Sequence, residues 1–226
     1  MKRIKVMLYG LCALLVASMT STPLMAGAGD FAGPYIGIAV SPMGAELDGQ
    51  YTEGTDGDTT KGAGGKIITV PSADIGYNIP LSDTFFVSIG GTYTPGEAEI
   101  SHHDDAANSA DIKVEASDFY TVYIQPSISV TDSSAIFIKA GYASADLAIT
   151  GDFTGTKSTK LEGSTISMGT KSIFPSGIYF QTEAGITEYD GIFVNDIGTS
   201  DTDGAKGDVK ADPSLAFGTV TIGMKF

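Results

Sequence analysis

Two adjacent histidines followed by two aspartates, His102, His103, Asp104 and Asp105, carry groups suited to acid–base catalysis or metal binding. Imidazole and carboxylate groups exchange protons and ligate divalent cations. Adjacent residues of a strand point to opposite faces, so two neighbouring histidines rarely serve one site. We interpret the cluster as the solvated tip of a loop. Two alternatives stay open: transient binding of a divalent metal ion, and a lipid-modifying hydrolase that uses a histidine with Ser101.

Two other acidic segments, Asp56-Gly-Asp58 and Asp201-Thr-Asp203-Gly204, resemble parts of calcium-binding loops. Such a loop ends on a bidentate glutamate, but the corresponding position after Asp56 is Ile67. After Asp201 the turn glycine is replaced by Lys206, although Asp212 occupies the final ligand position. We therefore predict solvated turns, with no metal site and no cofactor. The sequence also has neither a phosphate-binding loop nor a dinucleotide-binding glycine pattern.

The first 26 residues have the pattern of a secretory signal peptide. Residues 1–5 are basic, residues 6–19 are mostly apolar, and Ala26 offers a small residue for cleavage. The alternative is a retained anchor, but this apolar stretch is shorter than the ~20 residues that a spanning helix needs. Cys12 lies inside the segment, so the processed chain has no thiol or disulfide.

The processed chain is strongly acidic. Without Lys2, Arg3 and Lys5 it keeps ten lysines, no arginine and all 27 carboxylates, a formal charge of −17. Such a surface repels nucleic acid and offers no basic clamp for phosphates. Residues 27–226 are long enough for one domain, and no linker divides them.

Eight segments of the processed chain alternate between apolar and polar residues with a period of two, as strands with one buried and one exposed face do. In the fourth of these segments, Tyr120, Val122 and Ile124 alternate with Thr121 and Tyr123. The eight segments cover residues 34–42, 66–79, 84–96, 114–130, 134–149, 162–174, 177–189 and 213–226.

The connections between these segments alternate in length. Residues 43–64, 97–113, 150–161 and 190–212 form long connections, whereas residues 80–83, 131–133 and 175–176 form short ones. Membrane barrels have this arrangement, with short periplasmic turns and longer extracellular loops. We predict an all-β fold, an eight-stranded antiparallel transmembrane β-barrel in an up-and-down meander with both termini in the periplasm. A soluble sandwich is the alternative, but it would not need to keep charge off the outward-facing positions.

Four charged residues fall on the lumen side of this barrel: Asp74, Lys139, Lys171 and Glu183. Each lies near a short turn, so we expect them at a similar depth, where two acids and two bases neutralise one another. The network is interpreted as a structural plug. The alternative is a gate that opens when the pairs exchange partners. Small lumen-facing residues are expected to leave water-filled space, among them Gly37, Gly90, Gly141, Gly169 and Gly185.

The last strand places Val220, Ile222, Met224 and Phe226 on one face. A terminal phenylalanine after such alternation resembles the signal that hands outer-membrane proteins to the barrel-assembly machinery. The segment 31–38, Phe-Ala-Gly-Pro-Tyr-Ile-Gly-Ile, resembles the first strand of the small-barrel family that includes the opacity proteins and the membrane domain of OmpA. The chain has no Trp, so the interfacial girdles must consist of Tyr and Phe. Candidate girdle residues are Tyr77, Phe85, Tyr93, Tyr120, Tyr142 and Phe174.

These patterns predict a bacterial outer-membrane barrel that is not an enzyme and that has a role in envelope integrity, adhesion or another surface interaction. A narrow pore for small solutes is the alternative, and the lipid-modifying hydrolase is a more remote one. The expected partners are outer-membrane lipid and lipopolysaccharide, and the barrel-assembly machinery during biogenesis. We expect a monomer.

Overall fold

The computed structural model describes residues 27–52, 59–105, 110–151, 155–198 and 206–226. Across these ranges the chain forms one short helix and nine antiparallel strands. The elements are α1 (Ala28–Phe31), β1 (Gly33–Thr52), β2 (Thr59–Pro80), β3 (Phe85–Asp105), β4 (Ala110–Thr131), β5 (Ser134–Gly151), β6 (Gly155–Ile173), β7 (Ile178–Tyr189), β8 (Ile192–Gly198) and β9 (Lys206–Lys225).

The strands close into a barrel. Each strand from β1 to β6 pairs with the next, and β9 pairs with both β7 and β1. Tyr35 lies opposite Lys225 in the closing ladder, and the Phe226 amide donates to the Pro34 carbonyl at 2.9 Å. The short β8 pairs with the upper part of β9 and continues the line of β7 after a break. The predicted eight-stranded antiparallel barrel is therefore confirmed.

The strands are longer than the sequence pattern predicts, and the predicted long connections are correspondingly shorter. β1 continues to Thr52 and β2 begins at Thr59, so most of the predicted loop 43–64 is a β-ladder. The same holds for 97–113 and 150–161, and the predicted loop 190–212 contains β8. On β1 the predicted boundary at residue 42 marks where the outward-facing residues cease to be apolar, since the exposed Glu46 follows. That point is the edge of the lipid-facing belt, beyond which the hydrogen-bonded ladder continues.

An exposed apolar belt surrounds the lower part of the barrel. On β4 it extends from Val130 to Tyr120, about ten residues, which on a tilted strand span about 25 Å, the height of a membrane-facing band. Its outward residues include Ile36, Ile38, Val40, Ile75, Ile89, Val122, Ile124, Val220 and Ile222, each about half exposed or more. Such a belt indicates a barrel that spans a membrane. Within the described ranges, no helix is long and apolar enough to cross one.

Above the belt the barrel divides into two sheets. The β2–β3 ladder ends at the pair Ala73 and Tyr93, and the β6–β7 ladder ends at Gly163 and Tyr189. Beyond these points one sheet contains β8, β9, β1 and β2, and the other contains β3 to β6. An upper apolar cluster joins the two sheets on the β6–β8 side. Its members are Ala116, Ala145, Leu147, Leu161, Ile192 and Ala211, with Phe119 and Tyr189 packed against them.

Candidate functional site: a charged layer inside the barrel

The four charged residues predicted to face the lumen do so in the structure. Asp74 lies on β2, Lys139 on β5, Lys171 on β6 and Glu183 on β7, and each is at most 9% exposed. Their strands turn alternate side chains inward, so parity alone gives this placement. We call these residues, together with the side chains that bond to them, the charged layer.

One ion pair forms in this layer. The Lys139 ammonium donates to Glu183 Oε2 at 2.5 Å. The other glutamate oxygen accepts a hydrogen bond from Ser167 Oγ at 2.6 Å. Lys139 Nζ also lies 4.3 Å from the centre of the Tyr123 ring. Because both charges are buried, these additional bonds are needed to offset the cost of removing the pair from water.

Asp74 is held by hydroxyl groups. Its Oδ1 accepts hydrogen bonds from Thr92 Oγ1 at 2.9 Å and from the Tyr123 hydroxyl at 2.8 Å. Because Tyr123 donates its proton to Asp74, the Tyr35 hydroxyl 2.8 Å away must donate to the Tyr123 oxygen. The result is a chain of hydrogen bonds from Tyr35 through Tyr123 to the carboxylate.

Lys171 lies in an aromatic cage. Its ammonium is 4.0 Å from the centre of the Tyr35 ring and 4.6 Å from that of Tyr179. Among the described residues, the buried Nζ has no hydrogen-bond partner. The negative faces of the two rings attract the cation and replace part of its hydration. The two acids and two bases therefore do not form two ion pairs. Lys139 pairs with Glu183, whereas Asp74 is bound by hydroxyl groups and Lys171 by aromatic rings.

The aromatic members of the layer were missed by the sequence analysis, although a signal for them existed. Tyr123 and Tyr179 alternate with apolar outward residues on their strands, so their parity already pointed inward. Parity gives the face of a residue but not its neighbours. Only the barrel register brings Tyr35, Tyr123 and Tyr179 around the two lysines.

The lumen-facing glycines do not leave the water-filled space predicted beside them. The Tyr123 ring covers Gly90, and the Tyr179 ring covers Gly223 and reaches Gly37, so a Cβ at any of these glycines would collide with a ring. Phe137 covers Gly169 and Phe217 covers Gly185 in the same way. At these glycines the prediction was wrong, because a glycine in a narrow barrel gives room to a ring from a neighbouring strand, which packs more densely than water.

A lower apolar cluster closes the barrel beneath the charged layer. Its buried members are Ala28, Phe31, Tyr35, Phe86, Ala135, Ile173 and Tyr179. Helix α1 brings Phe31 onto Phe86, with the ring centroids 4.9 Å apart. Asn78 Nδ2 donates to the Phe31 carbonyl at 2.7 Å, and the Ala28 amide donates to the Asp83 carbonyl at 2.7 Å. α1 is therefore fixed as a stopper at the end that carries the short turns.

A chamber of about 80 Å³ lies above the charged layer. Asp74, Lys139 and Glu183 form its charged floor, and hydroxyl side chains such as Thr92, Thr165, Thr187 and Thr221 line its walls. Its upper part is apolar, with Met43, Phe119, Tyr189, Leu215 and Phe217. Because one water needs about 10–15 Å³, the chamber has room for several waters or for one molecule of a few heavy atoms.

The other predicted site residues do not join this layer. Residues 101–105 lie in the upper part of β3, where His102 and His103 are opposite Lys113 and Ile112. The side chains of Ser101, both histidines, Asp104 and Asp105 lie outside the described part of the structure, as do all of residues 53–58 and 201–205. Asp212 is an exposed residue opposite Asp48. Within the described residues, no group of three or more metal-ligating side chains occurs.

The predicted assembly-signal residues lie on the outer surface of β9 and at its end. Val220, Ile222, Met224 and Phe226 are 42–67% exposed. Phe226 stands at the same end of the barrel as α1. The four side chains therefore belong to the lipid-facing belt and not to the lumen.

No protein-family model matches the chain, and no curated protein matches it. Solved structures with a similar course of the chain include Ail, the attachment invasion locus protein of Yersinia pestis, at 10% identity over 82% of this chain and 99% of Ail, with a TM-score of 0.37. Neisserial surface protein A is 11% identical over 86% and 98% of the two chains, with a TM-score of 0.38. The outer membrane protease OmpT from Escherichia coli is 8% identical over 86% and 97%, with a TM-score of 0.44.

Proposed function

We propose that this protein is a non-enzymatic outer-membrane barrel with a blocked lumen, which stabilises the envelope and presents its strand extensions for interactions at the cell surface. The observation that carries this proposal is the filling of the lumen. The lower apolar cluster, the charged layer and the rings seated on glycines share members such as Tyr179, and together they fill the barrel from the short-turn end up to the chamber. A barrel filled in this way has no continuous aqueous path.

The apolar belt, the signal-peptide pattern and the terminal phenylalanine support the outer membrane as the location. In the proposed orientation α1, the short turns and Phe226 face the periplasm, and the two upper sheets face the medium. The belt then contacts membrane lipid and lipopolysaccharide. The exposed face of β9 is read by the barrel-assembly machinery during biogenesis, and the folded protein is a monomer.

Planar-bilayer recordings of the refolded protein test the blocked lumen. We expect no steady channel openings from the unchanged protein. Phe31→Ala should stay closed as well, because the charged layer and the rings seated on glycines still fill the barrel above Phe86. The matched control is Phe174→Ala, which truncates an exposed phenylalanine near the same end. Steady conductance of the unchanged protein that shifts in Lys139→Ala or Glu183→Ala would instead establish the pore.

The hydrolase alternative has its own assay. Incubation of the folded barrel with lipid A should leave the lipid intact. Turnover that disappears when both His102 and His103 are replaced by alanine would overturn the non-enzymatic assignment.

A further inference from the structure

The division between β2 and β3 begins at the top of the lipid-facing belt. Ala73 and Tyr93 are the last paired residues, and Tyr93 is opposite Tyr120, which ends the belt on β4. In continued register the next pair would be Ser72 and Thr94. Among the described residues, the upper part of β2 instead pairs only with β1, and the upper part of β3 only with β4.

Several local features keep this division open. Pro71 and Pro95 flank the last pair, and neither has an N–H group to donate to a ladder. Gly96 has a φ of 105°, and the register of β3 shifts between Thr94 and Glu97. Such a bulge turns a strand away from its neighbour. Proline and bulges are also the devices that protect a sheet edge from strand addition, so the features favour an opening over a docking site for a strand.

The chamber extends to this opening, because Ser72 and Thr94, the first residues beyond the ladder, both line it. The opposite division, between β6 and β8, is different. There Leu161 and Ile192 belong to the upper apolar cluster, which packs the two sheets together. The chamber is thus a dead-end pocket that is closed below by the charged layer and whose lining reaches the β2–β3 division.

The lining of the chamber selects the charge of a ligand. Among the described lining residues, Asp74, Lys139 and Glu183 are charged, a net charge of minus one. Lys139 already neutralises Glu183, whereas the partners of Asp74 are the neutral hydroxyls of Thr92 and Tyr123. The second lysine, Lys171, stands behind the Tyr35 ring and does not line the chamber. A cationic group entering the chamber therefore meets a buried carboxylate that forms no ion pair with any described residue.

We propose that this chamber is a binding site for small aliphatic amines, which enter between β2 and β3. The ammonium group binds Asp74 and the hydroxyl groups around it. The short alkyl chain packs against the apolar upper part, including Met43, Phe119 and Phe217. The chain's large negative charge raises the local concentration of such cations and excludes anionic analogues. The site is independent of the role proposed above, since a dead-end pocket conducts nothing.

The test is a titration of the purified protein in phosphatidylcholine nanodiscs with n-butylammonium, n-butanol and butanoate, followed by methyl NMR. The methyl groups of Ala39, Ala143 and Met43 report on the chamber, and that of Ala140, outward-facing on β5, reports on partition into lipid. We expect saturable shifts of the chamber methyls, with n-butylammonium binding about tenfold more tightly than n-butanol, as one ion pair allows. Shifts confined to Ala140, or equal binding of butanoate, would overturn the proposal.

Two pairs of matched variants distinguish binding in the chamber from binding at the protein surface. Ala39→Leu fills the chamber and should abolish saturable binding, whereas Ala140→Leu adds the same atoms to the lipid face and should leave binding unchanged. Asp74→Asn should remove the preference for the amine over the alcohol, and Asp132→Asn, in an exposed short turn, should not. Unchanged amine binding by Ala39→Leu contradicts the site.

The entrance is tested without altering the charged layer. A disulfide between Ser72→Cys and Thr94→Cys would close the β2–β3 division, because these positions directly follow the last pair, Ala73 and Tyr93, and both side chains line the chamber. We expect oxidation to slow butylammonium exchange at least about tenfold and reduction to restore it. The matched crosslink joins Ser134→Cys and Ser172→Cys, which are paired near the short turns, and should have no effect. Unaltered exchange after the first crosslink would exclude entry at this division.

Discussion

Lys139 and Lys171 are two buried lysines of one layer, but their surroundings differ. Lys139 donates to Glu183, and its loss would leave a buried carboxylate without its cation. Among the described residues, Lys171 Nζ has no hydrogen-bond partner and is held by the faces of Tyr35 and Tyr179. Removing one member of a buried ion pair is expensive, whereas removing a cation from an aromatic cage breaks no ion pair.

Replacement of each lysine by methionine, which has a similar volume, should therefore give different results. We expect Lys139→Met to lower the free energy of unfolding by about 3–5 kcal/mol and Lys171→Met by about 2 kcal/mol or less. Urea unfolding of both variants in lipid vesicles, followed by the shift in gel mobility between folded and unfolded protein, measures the difference. An equal or larger loss for Lys171→Met would contradict the cage.

The sequence predicts on which face of the strand these residues lie, but not which residues they contact. Alternation of side chains identifies Asp74, Lys139, Lys171 and Glu183 as lumen residues, because a strand has only two faces. It cannot tell that Tyr123 bonds Asp74 or that Tyr35 covers Lys171, since these contacts depend on which strands the barrel places across from each other. For residues 56–58, 101–105 and 201–204, the interpretation as solvated segments stays a prediction, because their side chains lie outside the described part of the structure.

At the scale of the elements, the extensions above the belt have a core of their own. Tyr189 ends β7 and packs on the upper apolar cluster. Tyr189 is opposite Gly163 on β6. The next residue toward the membrane, Ser164, pairs with the girdle residue Tyr142, so Tyr189 lies outside the membrane-spanning part. Burial raises the pKa of Tyr189 from its ordinary value of 10 to about 12. The extensions are therefore folded around a phenol that must remain neutral.

This raised pKa predicts a loss of stability in alkali. The folded state holds the Tyr189 proton more tightly than the unfolded chain does, so the contribution is complete below pH 10 and is lost as the pH rises through 12. We expect Tyr189→Phe to remove about 2 kcal/mol of this pH dependence. Urea midpoints of both proteins at pH 9 and pH 12 provide the measurement. A parallel decline in the two proteins would show that Tyr189 does not titrate with unfolding.

Helix α1 and strand β8 show where element prediction from sequence stops. The four residues Ala28–Phe31 have no helical periodicity to detect, and the helix exists because the open mouth of the barrel accepts Phe31. β8 lies in a stretch rich in Gly, Asp and Thr, and forms because β9 offers it an edge. Both elements depend on a surface made by the rest of the barrel.

At the scale of the whole molecule, Phe226 is more exposed than the other residues of the predicted assembly signal. Its side chain is 67% exposed, while its amide bonds Pro34 in the closing ladder. Deletion of Phe226 should lower the amount of assembled protein in cells several-fold but change the unfolding free energy of the refolded barrel by less than about 1 kcal/mol, the value of one hydrogen bond. Surface labelling in cells and urea unfolding in vesicles measure the two quantities. Normal surface levels of the truncated protein would refute the assembly role.

The ladder between β1 and β9 joins residues 190 positions apart in the chain, as with Tyr35 and Lys225. The ladders from β1 to β7 join consecutive strands, and β9 follows β7 after only the short β8, so these segments gain their contacts at lower entropic cost. The closing seam gains nothing until the last residues arrive, so the chain has a high-contact-order step at the end of its folding. Until then the unfinished sheet has two long unsatisfied borders, and the interval between synthesis and closure is its most aggregation-prone period.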